Sequence, residues 1–337
     1  MAKLQAAMPR LISPAVISAP ENVNFCLAAI QLFANVFELF ILPLYLLQKS
    51  VHWSLVIIPI SVLNNPFWAL IHEAIHDVFS SSNRTNLAVG RLLSIFFGSP
   101  FHVLRLTHLS HHKFNRSPLE KGTEVYDPTK SSKLRAKFAY FFYIFSGLYL
   151  LEVFSTWLFF LPRKIFHGLG RRLVDLGNDQ EKWLARRFME AKTLKEIRID
   201  GVAILLIFGL GAFCYGTHWK VLASILLIRM FLISFMDNVY HYGSTLNVTV
   251  SGHNLWLPRI LSILILNFNF HRIHHRNPAV PWQKLPRLFA EHADTFDDSL
   301  LTAAVDQLRG PIALADLMDA RDVNRRVKNS YNCNVSY

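Results

Sequence analysis

Eight of the chain's fifteen histidines fall in three compact groups, IHEAIHD at 71–77, THLSHH at 107–112 and FHRIHH at 270–275. On a helix, residues three and four apart share a face, so each group can aim its imidazoles at one point: His72 with His76, His108 with His111 and His112, His271 with His274 and His275. An H-x-x-H-H pattern should arise by chance about 0.03 times in a chain of this histidine content, and here it occurs twice. A lone histidine is most often a hydrogen-bonded core residue, but burying eight at the ends of apolar segments is costly unless they share partners. Metal ions meet that need. Eight or nine nitrogens are too many for one tetrahedral zinc with an open position and suit two ions, each with four or five protein ligands and room for oxygen or water.

His241, in FMDNVYHYG, is a ninth ligand candidate. Asp237, four residues earlier, shares its helical face if the helix continues, and could bind metal directly, through water, or by orienting an imidazole. Glu73, Asp77 and Asn267 are candidates to accept the second ring N–H of a ligating histidine, Asn267 standing one helical turn before His271. Each is equally readable as an ordinary polar residue at a helix end. His52, His102, His167, His218, His253 and His292 lack the spacing and receive no role.

The elements that must position these groups are membrane-like. Hydrophobic residues make up 52% of the chain and charged residues only 17%, and mean hydropathy is positive, which points to a bilayer as solvent. Residues 25–47 and 53–71 are long enough to form one helical hairpin, and residues 201–215 and 221–236 a second, giving about four crossings. Residues 138–161 are also long enough to cross. Their flanks, however, carry eight Lys/Arg at 105–137 and ten at 163–198, and the tendency of basic loops to stay in the cytoplasm puts both flanks on one side. This run is therefore expected to be interfacial or re-entrant, as is the shorter run 87–101. All three histidine groups then lie on the cytoplasmic side; a single crossing at 138–161 would separate the last group from the others.

The formal net charge of +12 is spread through segments between apolar runs, which speaks for membrane topology and against nucleic acid. Cys26, Cys214 and Cys333 have neither metal spacing nor an even count. The first twenty residues lack the compact apolar core of a cleavable signal. With no repeat or low-complexity tract, residues 1–337 read as one domain, with a core at about 24–290 and a cytoplasmic tail at 291–337.

H-x3-H, H-x2-H-H and H-x2-H-H, in this order and separated by membrane runs, resemble the three histidine boxes of the membrane fatty acid desaturase superfamily, over about residues 24–290. The resemblance implies an all-α integral membrane protein with four membrane helices, interfacial helices and a cytoplasmic helical cap. It also implies a non-haem diiron centre held by His72, His76, His108, His111, His112, His241, His271, His274 and His275, with dioxygen as co-substrate. Some similar desaturases place an asparagine where Asp237 stands. No HPGG haem motif is present, so an external electron donor, a separate protein of ferredoxin or cytochrome b5 type, is implied. The substrate would be a fatty acyl chain linked to CoA, carrier protein or glycerolipid. The basic segments suit an acidic electron carrier or acidic lipid head groups, or they only enforce orientation.

Three other outcomes stay open. Hydroxylases and acetylene-forming enzymes of the same superfamily share the boxes, and a shared site does not fix the product. HEAIH also fits the H-E-x-x-H of a zinc protease, with the glutamate as general base, though this leaves the other two groups unexplained. A non-catalytic metal store or sensor is the third.

Overall fold

The computed structural model describes residues 19–317; Cys333, the first eighteen residues and the end of the expected tail lie outside them. The described chain is mostly helical, with no closed sheet.

Helix α1, Glu21–Leu46, has 26 residues, about 39 Å of rise against a hydrocarbon core of about 30 Å. Its pattern is inverted relative to a soluble helix. Asn24, Gln31, Asn35 and Glu38 are buried, at helical spacing, while Phe25, Ile30 and Phe33 are exposed, so the polar stripe faces protein and the apolar face is left for lipid. The second half, Phe37–Leu46, is a π-helix containing Pro43, whose missing N–H relaxes the regular ladder. The expected span at 53–71 is a broken pair, α2 (Val51–Ser61) and α3 (Asn64–Ile75), bent by 49°, and α4 (Asn83–Phe97) meets α5 (Phe101–Phe114) at 101°. The second bend turns on Gly98, at φ +102°, in the left-handed region that favours glycine. At Gly90, a Cβ would come within 2.5 Å of the Phe101 ring, so this contact brings α4 and α5 closer than any side chain allows.

Helix α6, Lys133–Leu158, is continuous, which excludes a re-entrant loop, and it is apolar and long enough to cross. Two amphipathic helices follow, α7 (Arg163–Leu176) and α8 (Asp179–Phe188). The next apolar run, Ala191–Val239, comprises α9 (Ala191–Tyr215) and α10 (Trp219–Val239). Phe208 and Arg229 both reach the Phe96–Gly98 stretch, so the chain doubles back at Gly216–His218. The two ends of α6 are tied to the same end of this hairpin, far from its turn. Tyr140 Oη accepts from Asn238 Nδ2 at 3.1 Å, and Arg198 Nε donates to Phe159 O at 2.7 Å. A helix crossing once beside the hairpin would have its ends at opposite levels.

Within the apolar bundle, Arg229 is buried and joins three helices: it donates to Asn64 Oδ1 at 2.9 Å, Asn35 Oδ1 at 2.7 Å and Phe96 O at 2.8 Å, with Glu38 Oε2 at 3.7 Å. A charge at this depth persists only when its donors are satisfied.

The polar end carries α11 (Arg259–Leu264), α12 (His271–Arg276), α13 (Leu285–Glu291) and α14 (Leu300–Asp306), plus two minimal parallel pairs: β1 (Val125–Tyr126) with β4 (Ile312–Ala313), and β2 (Leu255–Trp256) with β3 (Asp298–Ser299). The packed chain thus continues past residue 290, where the tail is expected. Its polar side chains close hydrogen bonds that the core leaves open: Gln307 is fully buried, with Oε1 accepting from Asn238 and its carbonyl from Tyr140.

Candidate metal centre

Each histidine cluster sits where a helix meets the polar end. His72 lies in the last turn of α3 and His76 is its C-cap; the chain then turns at Asp77, with φ +59°. His108, His111 and His112 form the last turns of α5. The third cluster is the short α12, preceded by a left-handed turn at Leu266 and Asn267. Buried Asn254 accepts from Ile273 N and Asn269 donates to Leu255 O, fixing the entry to α12.

These elements bring all nine candidate histidines together, but around two points rather than one per cluster. His72, His76, His108, His112 and His274 form one group, and His111, His241, His271 and His275 the other, with ligand atoms within 4.8 Å of one another in each. The expectation that each H-x-x-H-H aims at a single point is corrected by helix geometry. The i,i+4 pairs His108/His112 and His271/His275 point one way, while the intervening His111 and His274 point about 100° away and join the opposite group. The groups adjoin, with the His112 and His275 rings stacked at 4.3 Å.

The nitrogen spacings fit metal ligation. His108 Nε2 is 3.0 Å from both His76 Nε2 and His112 Nε2, and His112 Nε2 is 3.1 Å from His274 Nε2. In the second group, His241 Nε2 is 3.1 Å from His111 Nε2 and 2.8 Å from His271 Nε2, which is 3.1 Å from His275 Nε2. An imidazole nitrogen has one in-plane proton or one in-plane lone pair, so it cannot hydrogen-bond two such neighbours at once. Two nitrogens about 2.1 Å from a shared ion and at right angles are about 3.0 Å apart. His72 Nε2 is buried without a hydrogen-bond partner, as a free ligand lone pair would be. Burial, reinforced by neighbouring imidazoles, holds the His241, His271, His274 and His275 rings well below the ordinary histidine range. They are therefore neutral, the form that binds metal.

The residues expected to support these rings are placed differently. Glu73 Oε2 accepts Trp282 N–H at 3.2 Å, Asp77 pairs with Arg105 at 2.6 Å, and Asn267 Oδ1 accepts from Ser262 Oγ at 2.9 Å. They pin backbone and neighbouring side chains rather than imidazole N–H groups. Asn267 is not one helical turn before His271, because the left-handed turn intervenes. Helix α10 ends at Val239, so Asp237 and His241 do not share a helical face. Asp237 belongs to neither histidine group and lines a narrow cavity with Trp68, Met236, Tyr240 and Phe268. Phe268 packs on His72 at 4.9 Å and Trp68 on His108 at 6.1 Å, so this crevice, whose lining also includes Asn65, abuts the five-histidine group.

Among the described residues, the carboxylate that does meet an imidazole of the two groups is Glu120, which the sequence does not single out: its Oε1 is 2.5 Å from His111 Nδ1. Gln180, from α8, donates to Glu120 Oε2 at 2.7 Å. A second unforeseen support is Arg272, inside the third cluster, which grips Asp294 at 2.6 Å and Asp297 at 2.5 Å. An acidic residue eight positions beyond His112 and an arginine within a ligand cluster were the available signals. The six histidines without a role lie in neither group; His102 meets Glu196, and His253 meets Tyr242 O.

Apolar helices of membrane length, ending in two adjoining histidine cages that could hold metal, define the class. The family model described as "Fatty acid desaturase" matches residues 50–304, and the chain belongs to the fatty acid desaturase family. It is also similar to a protein of Bacillus subtilis (strain 168) named "Fatty acid desaturase", with 24% identity over 292 residues, covering 82% of this chain and 79% of the relative.

Proposed function

We propose that the chain is an oxygen-dependent membrane desaturase that inserts a double bond into a fatty acyl chain at a non-haem diiron centre. The observation that carries this reading is the pair of adjoining histidine groups with nitrogen spacings of 2.8–3.1 Å.

His72, His76, His108, His112 and His274 would hold one iron, and His111, His241, His271 and His275 the other. When bound, the irons supply dioxygen activation and the oxidising power to take hydrogen from an unactivated methylene. Per double bond, dioxygen, two external electrons and two protons convert a CH2–CH2 unit to CH=CH and two waters. The chain's own contribution is placement: Trp68, Met236, Tyr240 and Phe268 form the apolar part of a narrow crevice that Asp237 and Asn65 also line, and an alkyl chain entering there would have its methylenes near the imidazoles. Glu120 holds the ring of His111 by its Nδ1–H, fixing which nitrogen faces inward. The active site would lie on the cytoplasmic side, where the basic flanks of α6 belong.

Glu73 also bears on the zinc protease alternative. A general base must face the metal-bound water, but Glu73 is buried against Trp282 N–H, and His72 and His76 belong to a five-histidine group. Expression in a bacterial or yeast host, with mass spectrometry of total acyl chains in air and under oxygen limitation, tests the proposal. New unsaturated chains in air only, abolished by His111→Ala, and about two irons per purified chain are expected. An oxygenated product would assign hydroxylation instead; unchanged lipids from several fed acyl chains, or one zinc per chain, would refute the reading.

A further inference from the structure

The nine histidines are not equally shielded. In the four-histidine group His241, His271 and His275 are buried and His111 is half-buried, while His76, His108 and His112 of the other group are half-buried too; the His111 side chain retains 25% of its exposure, as does Glu120 behind it, so at this edge the four-histidine group approaches water. Helix α8 lies over the edge. Gln180, in its first turn, donates to Glu120 and to Ser110 Oγ, which puts a surface helix two hydrogen bonds from His111.

The neighbouring helices α7 and α8 have opposite surfaces. Helix α7 exposes Ile165, Leu169, Leu173 and Leu176, a single apolar face at helical spacing, as an element resting on lipid does. Helix α8 exposes none of its large apolar side chains. Its outward groove joins Lys182, Trp183, Arg186 and Arg187 to Lys113, the residue after His112, with Asp179 and Glu190 as the acidic residues. Cations therefore outnumber carboxylates four to two, and Glu190 is taken by Arg187 at 3.2 Å. Among the described residues Lys113, Lys182 and Arg186 have no carboxylate partner; Lys113 and Arg187 lie over the Trp183 ring at 5.5 and 5.9 Å. Unpaired cations around a partly buried aromatic, on a water-facing helix, fit an acidic protein better than a bilayer.

We propose that this groove is the docking surface for an acidic one-electron carrier protein and that electrons enter the centre through the His111 edge. The inference rests on the desaturase reading, which requires an external reductant. Two carriers each lose one electron; with the two electrons and two protons removed from the acyl chain and two protons from water, these reduce dioxygen to two waters.

The test uses the full iron-loaded chain in detergent with an acidic ferredoxin as probe. It compares the parent with a Lys182→Glu, Arg186→Glu, Arg187→Glu triple variant and with an α7 control, Lys164→Glu, Arg171→Glu, Arg172→Glu. The α8 reversal should weaken ferredoxin binding about tenfold or more at low ionic strength and flatten its salt dependence, while dithionite-driven turnover stays at the parent level. The milder Lys182→Gln, Arg186→Gln pair should weaken binding in the same direction, about threefold. Unchanged ferredoxin affinity in the triple variant overturns the proposal, and so does an equal loss in the α7 control. Retained ferredoxin binding with lost binding to anionic phospholipid vesicles overturns it too, assigning the groove to the membrane. Affinity is read without turnover, so failure of the desaturase reading shows separately, as absent product with either reductant.

Discussion

The two histidine groups share two helices, α5 and α12, but are not equivalent. The five-histidine group takes an i,i+4 pair from α3, another from α5 and one residue from α12; the four-histidine group takes an i,i+4 pair from α12, one residue from α5 and His241 from the turn after α10. The first cluster has no middle histidine, so it gives nothing to the four-histidine group, and a residue from a distant turn stands in its place. The result is one group of five with apolar rings packed on His72 and His108, and one with fewer ligands whose edge, at His111, is reached by a surface helix. On the proposed function, an asymmetric pair divides its tasks, with substrate beside the first group and electron entry beside the second.

The largest effects should come from the ligands themselves. His76→Ala leaves four nitrogens in its group and His271→Ala leaves three. Both variants should lose more activity than the about 10–100-fold typical of changes behind a ligand, because the proposed reaction needs both ions. Metal content separates them: iron per chain after dialysis should stay near the parent value in His76→Ala and fall by about half in His271→Ala. Equal losses in the two variants would dissolve the asymmetry.

A smaller effect, shared by both groups, is expected at Arg272. Its grip on Asp294 and Asp297 holds α12, which supplies His274 to one group and His271 and His275 to the other. Arg272→Ala leaves two acidic groups without their partner; because Arg272 and Asp294 are half-buried and Asp297 is exposed, it should cost about 1–2 kcal/mol, more than an isolated surface pair and less than a buried one. It should lower iron affinity at both positions alike, read by thermal unfolding and iron titration. Burial pushes the Asp294 carboxyl up, but the hydrogen bonds and charge of Arg272 outweigh it and leave its pKa below the ordinary value. This contribution is fully present above the unfolded value of about 3.9 and is lost as pH falls through the lower folded one. Parent protein at pH 5 should therefore keep the clamp, and Arg272→Ala should be nearly insensitive to it.

What the sequence made legible was what periodicity encodes. The i,i+4 pairs, the apolar runs and the end-on placement of the histidines follow from 3.6 residues per turn. Assignment of adjacent histidines to different groups follows from the same geometry once two centres are considered. The polar supports were less visible, because Glu120 and Asp294 act from loops whose positions are set by tertiary packing. Asp237 and Asn267 look well placed only if their helices continue, and the helix end at Val239 and the left-handed turn at Leu266 remove that condition. The buried stripe of α1, with Asn24, Gln31, Asn35 and Glu38, was present in the sequence at helical spacing, but its partner Arg229 lies 194 residues from Asn35, which no local pattern reports.

The finest test of the difference between the groups lies behind His111. Nδ1 of His241, His271 and His275 has no hydrogen-bond partner among the described residues, so Glu120 is the carboxylate that supports the four-histidine group. Glu120→Gln keeps the shape and removes the charge; it should weaken iron binding at that group about 10–100-fold and leave the other unchanged. Gln180→Ala removes a hydrogen bond to the Glu120 carboxylate, worth about 1.5–3 kcal/mol; because only part of that reaches the imidazole through Glu120, it should act in the same direction by about 2–10-fold. The two effects on iron binding should not add in the double variant, since Gln180 reaches His111 through Glu120. If they do add, Gln180 holds α8 for its own sake, and the surface helix and the metal edge are separate structures.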